Sequence, residues 1–456
     1  MQLKIEKLIY GGDGLTRLPA DEHGAGKSVF IPYVLEGEEV EARLTEQKPG
    51  FARASLEGIR TASPDRIQPG CQYFGRCGGC HYQHTSYAHQ LAIKAEILRE
   101  TLRRTAKIVL PRELQIHPSS ERGWEWGYRN RTRLKVQAAP KFALGYYRPG
   151  SHELLPVEQC PISSPLINRA IAAVWVCGRA GEIPSAVREL EFFVDPADEV
   201  LMIEAYYEPR ASQAGKQAGE GPVRLRSGQV RPTQAIPTQE IAEQLAGLMR
   251  EAKGAVVFEL PPASQFVDPK RLAAFGKTAI VYSTKLAAYR VSAGAFFQAN
   301  RFLIDELVGL VTQGASGQVA LDLYAGVGLF SVPLKQSFPQ VIAVEASQTS
   351  FADLRQNVGQ EVKAVRATTA QFLDQASGMR PDLVVADPPR GGLGENVVRK
   401  LAALGAPRMT YVSCDPSTLA RDLRTLLSLG YRIDGAHMID LFPQTYHIES
   451  VFHLAR

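Results

Sequence analysis

Short runs of alternating apolar and polar positions open the chain: Leu3 and Ile5, then Val29, Phe30 and Ile31, then Val40, Ala42 and Leu44. A period of two puts every second side chain on one face of a strand, and Gly11-Gly12-Asp13-Gly14 and Glu36-Gly37-Glu38 read as tight turns between strands. Residues 1–60 therefore predict a small OB-like β-barrel. The period lengthens over 86–104, where Leu91, Ala95, Leu98 and Leu102 recur at helical spacing with Lys94, Arg99, Arg103 and Arg104 elsewhere around the helix. Strand patterns return from about 125 to 205, as in Thr132–Val136 and Leu190–Val194, and residues 208–232, rich in Gly, Ser, Gln, Arg and Pro, predict a flexible insertion. From 286 onward, apolar runs at Val319–Tyr324, Val341–Val344, Leu383–Ala386 and Met409–Val412 alternate with helical segments, which predicts a doubly wound, Rossmann-like α/β sheet. The expected plan is an α/β multidomain protein: a barrel over 1–60, a central mixed α+β domain over 61–285, and a nucleotide-binding-type domain over 286–456. The 86–104 helix is expected to be able to pack on the last of these.

Composition sharpens the picture in two places. The 456-residue chain carries a formal charge of only +5, yet residues 99–148 hold twelve Lys or Arg against four Glu, a concentration suited to a polyanionic partner. Within it, Trp124-Glu125-Trp126-Gly127-Tyr128-Arg129-Asn130-Arg131-Thr132-Arg133, followed by Phe142, Tyr146, Tyr147 and Arg148, interleaves rings and cations. Stacking with phosphate neutralisation is the basis of single-stranded RNA binding, which nominates Arg129, Arg131 and Arg133 as RNA contacts; the alternative is that the rings pack in a core. The six cysteines are the second place. Cys71, Cys77 and Cys80 cluster within ten residues and Cys160 stands apart, a pattern closer to metal ligation in a reducing compartment than to disulfides. Four thiolates suit zinc or an iron–sulfur cluster, and three clustered ligands plus one distant one favour [4Fe-4S] over paired zinc knuckles. Cys177, in an apolar run, reads as a small buried hydrophobe. With no apolar leader and no run of the ~18 apolar residues needed to span a bilayer, a soluble cytoplasmic protein is expected.

The chemistry concentrates in the last third. Ala325-Gly326-Val327-Gly328 follows an apolar strand at the end where open α/β sheets bind ligands, with glycines that let backbone approach closely. That loop alone would fit a nicotinamide site nearly as well; Glu345, ending the next strand, can accept both ribose hydroxyls of an adenosyl group. Asp387-Pro388-Pro389-Arg390 follows a third apolar strand, with Arg390 suited to carbonyl oxygens or a phosphate. Cys414 follows another strand and precedes a helix whose N-terminal dipole would lower its thiol pKa, and Glu449 lies near the C-terminus in Tyr446-His447-Ile448-Glu449.

Taken in order, these motifs resemble the RNA uracil-C5 methyltransferases that use S-adenosylmethionine, and most closely their cluster-containing 23S ribosomal RNA branch. The resemblance spans nearly the whole chain, and the barrel resembles a TRAM domain. It implies that Cys414 adds to C6 of uracil, that Glu449 is the base removing the C5 proton, and that Gln298, Tyr324, Glu345 and Asp387, with the backbone at Gly326 and Gly328, hold S-adenosylmethionine. It further implies a [4Fe-4S] cluster on Cys71, Cys77, Cys80 and Cys160. Leu329 departs from the polar residue many relatives carry; Asn357 is a further candidate near the adenosyl group, and His447 a relay or an orienting group for Glu449. The expected partner is an RNA loop with an extruded uracil, bound by a monomer without membrane attachment. The alternatives are a transfer RNA uracil-54 enzyme, a cytosine-C5 methyltransferase, and an iron–sulfur RNA-binding protein without catalysis.

Overall fold

Six strands form the N-terminal sheet, in the order Gln2–Lys4, Glu39–Gln47, Phe51–Thr61, Ser28–Pro32, Asp13–Arg17, Lys7–Leu8. Its core holds the alternating positions read from sequence, among them Leu3, Ile5, Val29, Ile31, Val40 and Ala42. The computed structural model describes residues 1–19, 26–119, 123–208, 237–261 and 268–456, so the expected insertion lies, from residue 209 on, outside the described residues.

The helix predicted over 86–104 is α1, Tyr87–Thr101, capped by Ser86, whose hydroxyl accepts from the His89 amide. It runs into a wider turn at Leu102–Ala106 that Lys107 closes in the left-handed region, φ 60°. Its buried side includes Gln90, Ile93, Lys94, Ile97 and Leu98, so two polar residues enter the interior with the apolar stripe.

A seven-stranded central sheet runs in the order Leu154–Pro156, Ala143–Tyr147, Arg131–Gln137, Val187–Val194, Leu201–Tyr207, Ala252–Glu259, Arg271–Gly276. Helices Pro165–Arg179 and Thr238–Ala246 cover one face. Phe193, Met202, Tyr206 and Phe258 from the other face share a core with Leu307, Val332, Val341 and Val385 of the C-terminal region. No seam in the packing marks residue 285: the expected boundary falls in the turn of a hairpin whose strands, Ala279–Ser283 and Ala288–Ser292, pair with each other.

The C-terminal sheet contains β1 (Val319–Leu323), β2 (Gln340–Glu345), β3 (Val362–Arg366), β4 (Leu383–Ala386), β5 (Arg408–Ser413), β6 (Arg432–Ile439) and β7 (Glu449–Ala455), ordered 3-2-1-4-5-7-6. β1 to β5 are parallel, as buried apolar runs linked by helices require. β7 enters antiparallel between β5 and β6. An eighth strand, Gln115–His117, pairs parallel with β6. Residues assigned by sequence to the central domain therefore complete this sheet.

One ion pair ties α1 to it. Lys94 Nζ donates to Asp440 Oδ1 at 2.6 Å and to the Phe442 carbonyl at 2.9 Å, and both charged side chains are only 1% exposed. Burial pushes the Lys94 pKa down, and Asp440 opposes it. Removing one partner of such a pair strands the other charge in a low dielectric, so Lys94→Ala should cost about 3–5 kcal/mol in urea denaturation. The double replacement Lys94→Met with Asp440→Leu should recover most of that loss, and an additive double variant would show that the pair is not the source.

Candidate active site

The candidate residues gather at the carboxyl ends of β1, β2, β4 and β5. After β1, Tyr324 adopts φ 60°, an uncommon conformation for a residue with a bulky side chain, and Gly326 and Gly328 follow at φ 56° and 95°. A Cβ added at Gly326 would meet nothing within 4 Å, whereas at Gly328 it would fall 2.9 Å from Leu354. The first glycine thus borders open space and the second permits close packing. The Gly326 amide donates to Glu345 Oε2 at 2.8 Å and the Ser347 amide to Oε1 at 2.7 Å, which draws the Glu345 carboxylate up to the loop. Asn357 is occupied: its side chain donates to the carbonyls of Val327 and Arg290 and accepts from the Arg290 amide, fixing the loop from behind. Leu329 is buried in the core, which explains an apolar residue there.

Beneath the loop, Asp322 of β1 is fully buried; Ser331 donates to one carboxyl oxygen and the other has no partner. Burial pushes its pKa up to about 7. Asp387, just past β4, is likewise raised to about 7, by burial and then by the charge of Asp322. Gln298 Nε2 lies 3.5 Å from Asp387 Oδ2, bringing the Phe296–Gln298 segment to the same pocket.

Strand register brings Cys414 to Glu449. β5 and β7 pair antiparallel through Ser413 and Ser450, whose hydroxyl donates to the Ser413 carbonyl at 3.2 Å. One step further along the ladder, Cys414 comes opposite Glu449. The electrostatics differ from the sequence expectation. The Cys414 thiol is pushed up to about 12, chiefly by burial and then by the Glu449 and Asp387 carboxylates, with Arg390 opposing. Burial outweighs the helix dipole; α2 (Pro416–Ser428) is capped by its own Asp415, which accepts from the Ser417 and Thr418 amides at 2.9 and 3.0 Å and adds a smaller negative contribution beside the thiol. Glu449 is raised well above the usual carboxyl range by burial and by Asp387. Arg390 is exposed at the rim, its carbonyl held by the Thr418 hydroxyl, and its guanidinium lies 3.3 Å from both ring nitrogens of His447. Burial and that cation push His447 down to about 3, so the ring stays neutral.

The connection that delivers Glu449 is held by distant segments that sequence reading did not pair with it. Gln444, at φ 68°, exchanges two side-chain and backbone hydrogen bonds with Gln90 of α1, and its carbonyl accepts from the amides of His81 and Tyr82 at 2.8 and 3.0 Å. Those amides immediately follow Cys80. Tyr128 donates to the Pro443 carbonyl at 3.0 Å.

Cys71, Cys77, Cys80 and Cys160 line one cavity of about 80 Å³. Burial raises Cys77 to about 11 and Cys80 to about 12, with the neighbouring Cys160 thiol raising both further. Among the described residues, no group of three or more His, Cys, Asp or Glu side chains is placed so that it could hold a metal ion, so the expected cluster on these four cysteines is not shown. Arg129 also lines this cavity, and its buried Nε has no partner. Arg131 pairs internally with Glu191 and Glu204, and Arg133 with Glu191 and Glu189 while stacking on Tyr206. The expected RNA contacts at Arg129 and Arg131 are therefore corrected. Positions 131, 133 and 135 share one strand face, and their register opposite Glu189, Glu191 and Phe193 matches their charges inside the protein. Arg133 keeps partial exposure and Arg390 is open to solvent. Tyr128 and Phe142 are core residues, whereas Trp124 is 42% exposed and stacked on Phe302.

Residues 277–456 match the tRNA (Uracil-5-)-methyltransferase family and residues 1–56 the TRAM domain. A 23S rRNA (uracil(1939)-C(5))-methyltransferase from Pseudomonas putida is 31% identical over 99% of this chain and 92% of its own length. An uncharacterized RNA methyltransferase from Aquifex aeolicus is 30% identical over 99% of this chain and 97% of its own. The crystal structure of the Pyrococcus abyssi tRNA (uracil-54, C5)-methyltransferase with S-adenosyl-L-homocysteine superposes over the full length of both chains with a TM-score of 0.72 at 23% identity, a likeness of fold. Among the described residues, no helix is long and apolar enough to cross a membrane.

The buried carboxyl beneath the loop gives a pH-dependent expectation. Asp322 titrates near 7 folded and near 3.8 unfolded, so its contribution is intact below about pH 4 and is lost as pH rises toward 7. Asp322→Asn should therefore raise the melting temperature of ligand-free protein more at pH 8 than at pH 5; equal shifts at both pH values would contradict the assignment.

Proposed function

The chain belongs to the RNA uracil-C5 methyltransferases, and from that premise we propose that it methylates C5 of one uridine in 23S ribosomal RNA through a covalent adduct on Cys414. The observation that carries this reading is the β5–β7 register, which sets Cys414 against Glu449 beside Asp387 and the glycine loop. The choice of ribosomal RNA rests on the full-length likeness to the Pseudomonas enzymes, whose target is uracil 1939 of 23S rRNA.

Uracil C5 is too weak a nucleophile to take a methyl group unaided. Addition of the Cys414 thiolate to C6 puts carbanion character on C5; after C5 is methylated, Glu449 removes the C5 proton, the C5–C6 double bond re-forms and the thiolate leaves. S-adenosylmethionine supplies the methyl group from a sulfonium, whose positive charge suits a pocket crowded with Asp322, Asp387 and Glu449. The open space at Gly326 fits such a ligand, with Gln298, Tyr324, Glu345, Asp387 and the backbone of Gly326 and Gly328 as its holders. Glu449, held high by burial, retains the abstracted proton readily. Arg390 faces the uracil carbonyls or a neighbouring phosphate, with Arg133 a secondary RNA contact. Because C6 must reach a thiol at the bottom of a cleft, the uridine is extruded from a single-stranded or refolded loop. The protein acts as a cytoplasmic monomer in this reading.

We assign the four thiols as the ligands of a [4Fe-4S] cluster. They share one cavity, and the partnerless Arg129 guanidinium nitrogen beside them fits the negative charge of a thiolate-ligated cube. The cluster takes no part in the methyl transfer; it would join the 71–80 loop to Cys160 of the central sheet.

Cys414→Ala should abolish turnover and eliminate the covalent complex with 5-fluorouracil-substituted RNA, in which fluorine at C5 blocks elimination; trapping that persists would refute the nucleophile. Glu449→Gln should instead accumulate an adduct with unmodified RNA, visible as a shifted band on a denaturing gel, and full activity in that variant would assign the base elsewhere. Anaerobically purified protein should be brown with about four iron atoms per chain. Cys80→Ser should lose iron and weaken RNA binding more than S-adenosylmethionine binding, and a colourless, zinc-loaded wild type would overturn the cluster. Mapping 5-methyluridine in the RNA of a deletion strain distinguishes a ribosomal from a transfer RNA target.

A further inference from the structure

The barrel reaches the nucleophile directly. In the turn between Lys7–Leu8 and Asp13–Arg17, Tyr10 Oη donates to the backbone carbonyl of Cys414 at 3.1 Å. The turn is fixed for this contact: Gly11 and Gly12 adopt φ 110° and 92°, and a Cβ on Gly12 would lie 3.0 Å from His81. The Tyr10 ring packs edge-on against Tyr446 at 5.4 Å between centroids, and Tyr446 in turn contacts His81 at 4.6 Å and His447 at 4.3 Å. The first turn of the barrel, the loop after Cys80 and the segment before Glu449 thus meet in one aromatic cluster at the mouth of the site.

The carbonyl concerned sits at a demanding point of the chain. Cys414 lies between the last ladder residue of β5 and the cap of α2, so neither strand nor helix accounts for its carbonyl, and a half-buried carbonyl needs a donor. Burial and the neighbouring Asp415 keep the Tyr10 phenol protonated, and hence a donor, across the neutral range.

We propose that Tyr10 is a positioning residue for the methyl-transfer reaction: its hydroxyl holds the Cys414 peptide so that the thiol faces C6 of the extruded uracil, which makes the barrel part of the active site as well as an RNA-binding appendage. The inference rests on the reading of Cys414 as the nucleophile. It concerns adduct formation, not RNA capture, so it separates two parameters that a contact with RNA would move together or in the opposite sense.

The test uses full-length protein and a 23S rRNA transcript made with 5-fluorouridine. Tyr10→Phe keeps the ring against Tyr446 and removes only the hydroxyl; Tyr10→Leu removes both. The single-turnover rate of adduct formation should fall about threefold to tenfold in Tyr10→Phe, the loss of one hydrogen bond, with the KM for RNA and the Kd for S-adenosylmethionine unchanged. A raised KM with an unchanged rate would make Tyr10 an RNA contact and overturn the proposal. So would a wild-type rate in Tyr10→Phe with a defect confined to Tyr10→Leu, which would assign the effect to ring packing. Wild-type protein that traps no fluorinated RNA would refute the nucleophile reading itself, whereas equal trapping by wild type and Tyr10→Phe refutes this inference alone.

Discussion

The buried pair of Lys94 and Asp440 is the constraint on which the geometry of the site depends. Two charges at 1% exposure are tolerable only when each finds the other, and here one lies on α1 and the other at the end of β6. Their meeting fixes where the chain leaves the sheet before returning as β7, whose first residue is Glu449. Lys94 also holds the Phe442 carbonyl, Gln90 holds Gln444 one turn earlier on the same helix, and the Cys80 loop holds Gln444 from the other side. A carboxylate delivered by a connection of nine residues, from 440 to 448, would otherwise be free to wander. Its place is set by polar contacts that become worth more because water is excluded from them.

Electrostatics then defines the resting state. Asp322, Asp387, Glu449 and the Cys414 thiol are all raised, each first by burial and then by a neighbouring carboxylate: Glu345 acts on Asp322, Asp322 on Asp387, Asp387 on Glu449, and Glu449 with Asp387 on Cys414. Arg390 is the cation that counters both Glu449 and Cys414, and it stands at the rim. A positive charge set against these acids favours their charged forms, so whatever lies beside them bears on the protonation of the thiol.

Much of the catalytic half was legible because its signals are local. Apolar runs gave β1, β2, β4 and β5 to within a residue or so, and the residues that end them, Tyr324, Glu345, Asp387 and Cys414, converge because parallel strands present the same end to one crevice. Glu449 was legible by resemblance, and its pairing with Cys414 follows from an antiparallel register that periodicity does not report. The arginines at 129 and 131 misled for the complementary reason. Their spacing declares that 131 and 133 share a face, but not that Glu189 and Glu191 occupy the neighbouring strand. Near 285 a hairpin and a shared core bridge the two regions, a continuity that composition does not report. Tyr10 and Lys94 carried no local signal; their partners lie 404 and 346 residues away.

The same long-range contacts decide how the N-terminal parts bear on catalysis. In the sequence, the cysteine loop and the barrel lie more than 150 residues before the glycine loop. In the folded chain the amides directly after Cys80 support the connection to Glu449, and the barrel turn touches the Cys414 carbonyl. Disorder in the cysteine loop would therefore loosen the connection that precedes Glu449, and displacement of the barrel turn would free the Cys414 carbonyl, even with the residues that border the glycine loop untouched. The glycine loop is anchored by its own neighbours Glu345 and Asn357, whereas the placing of Cys414 beside Glu449 draws on the barrel turn, the loop after Cys80 and α1. Damage to any one of those three segments disturbs that placing and leaves the loop's own hydrogen bonds intact.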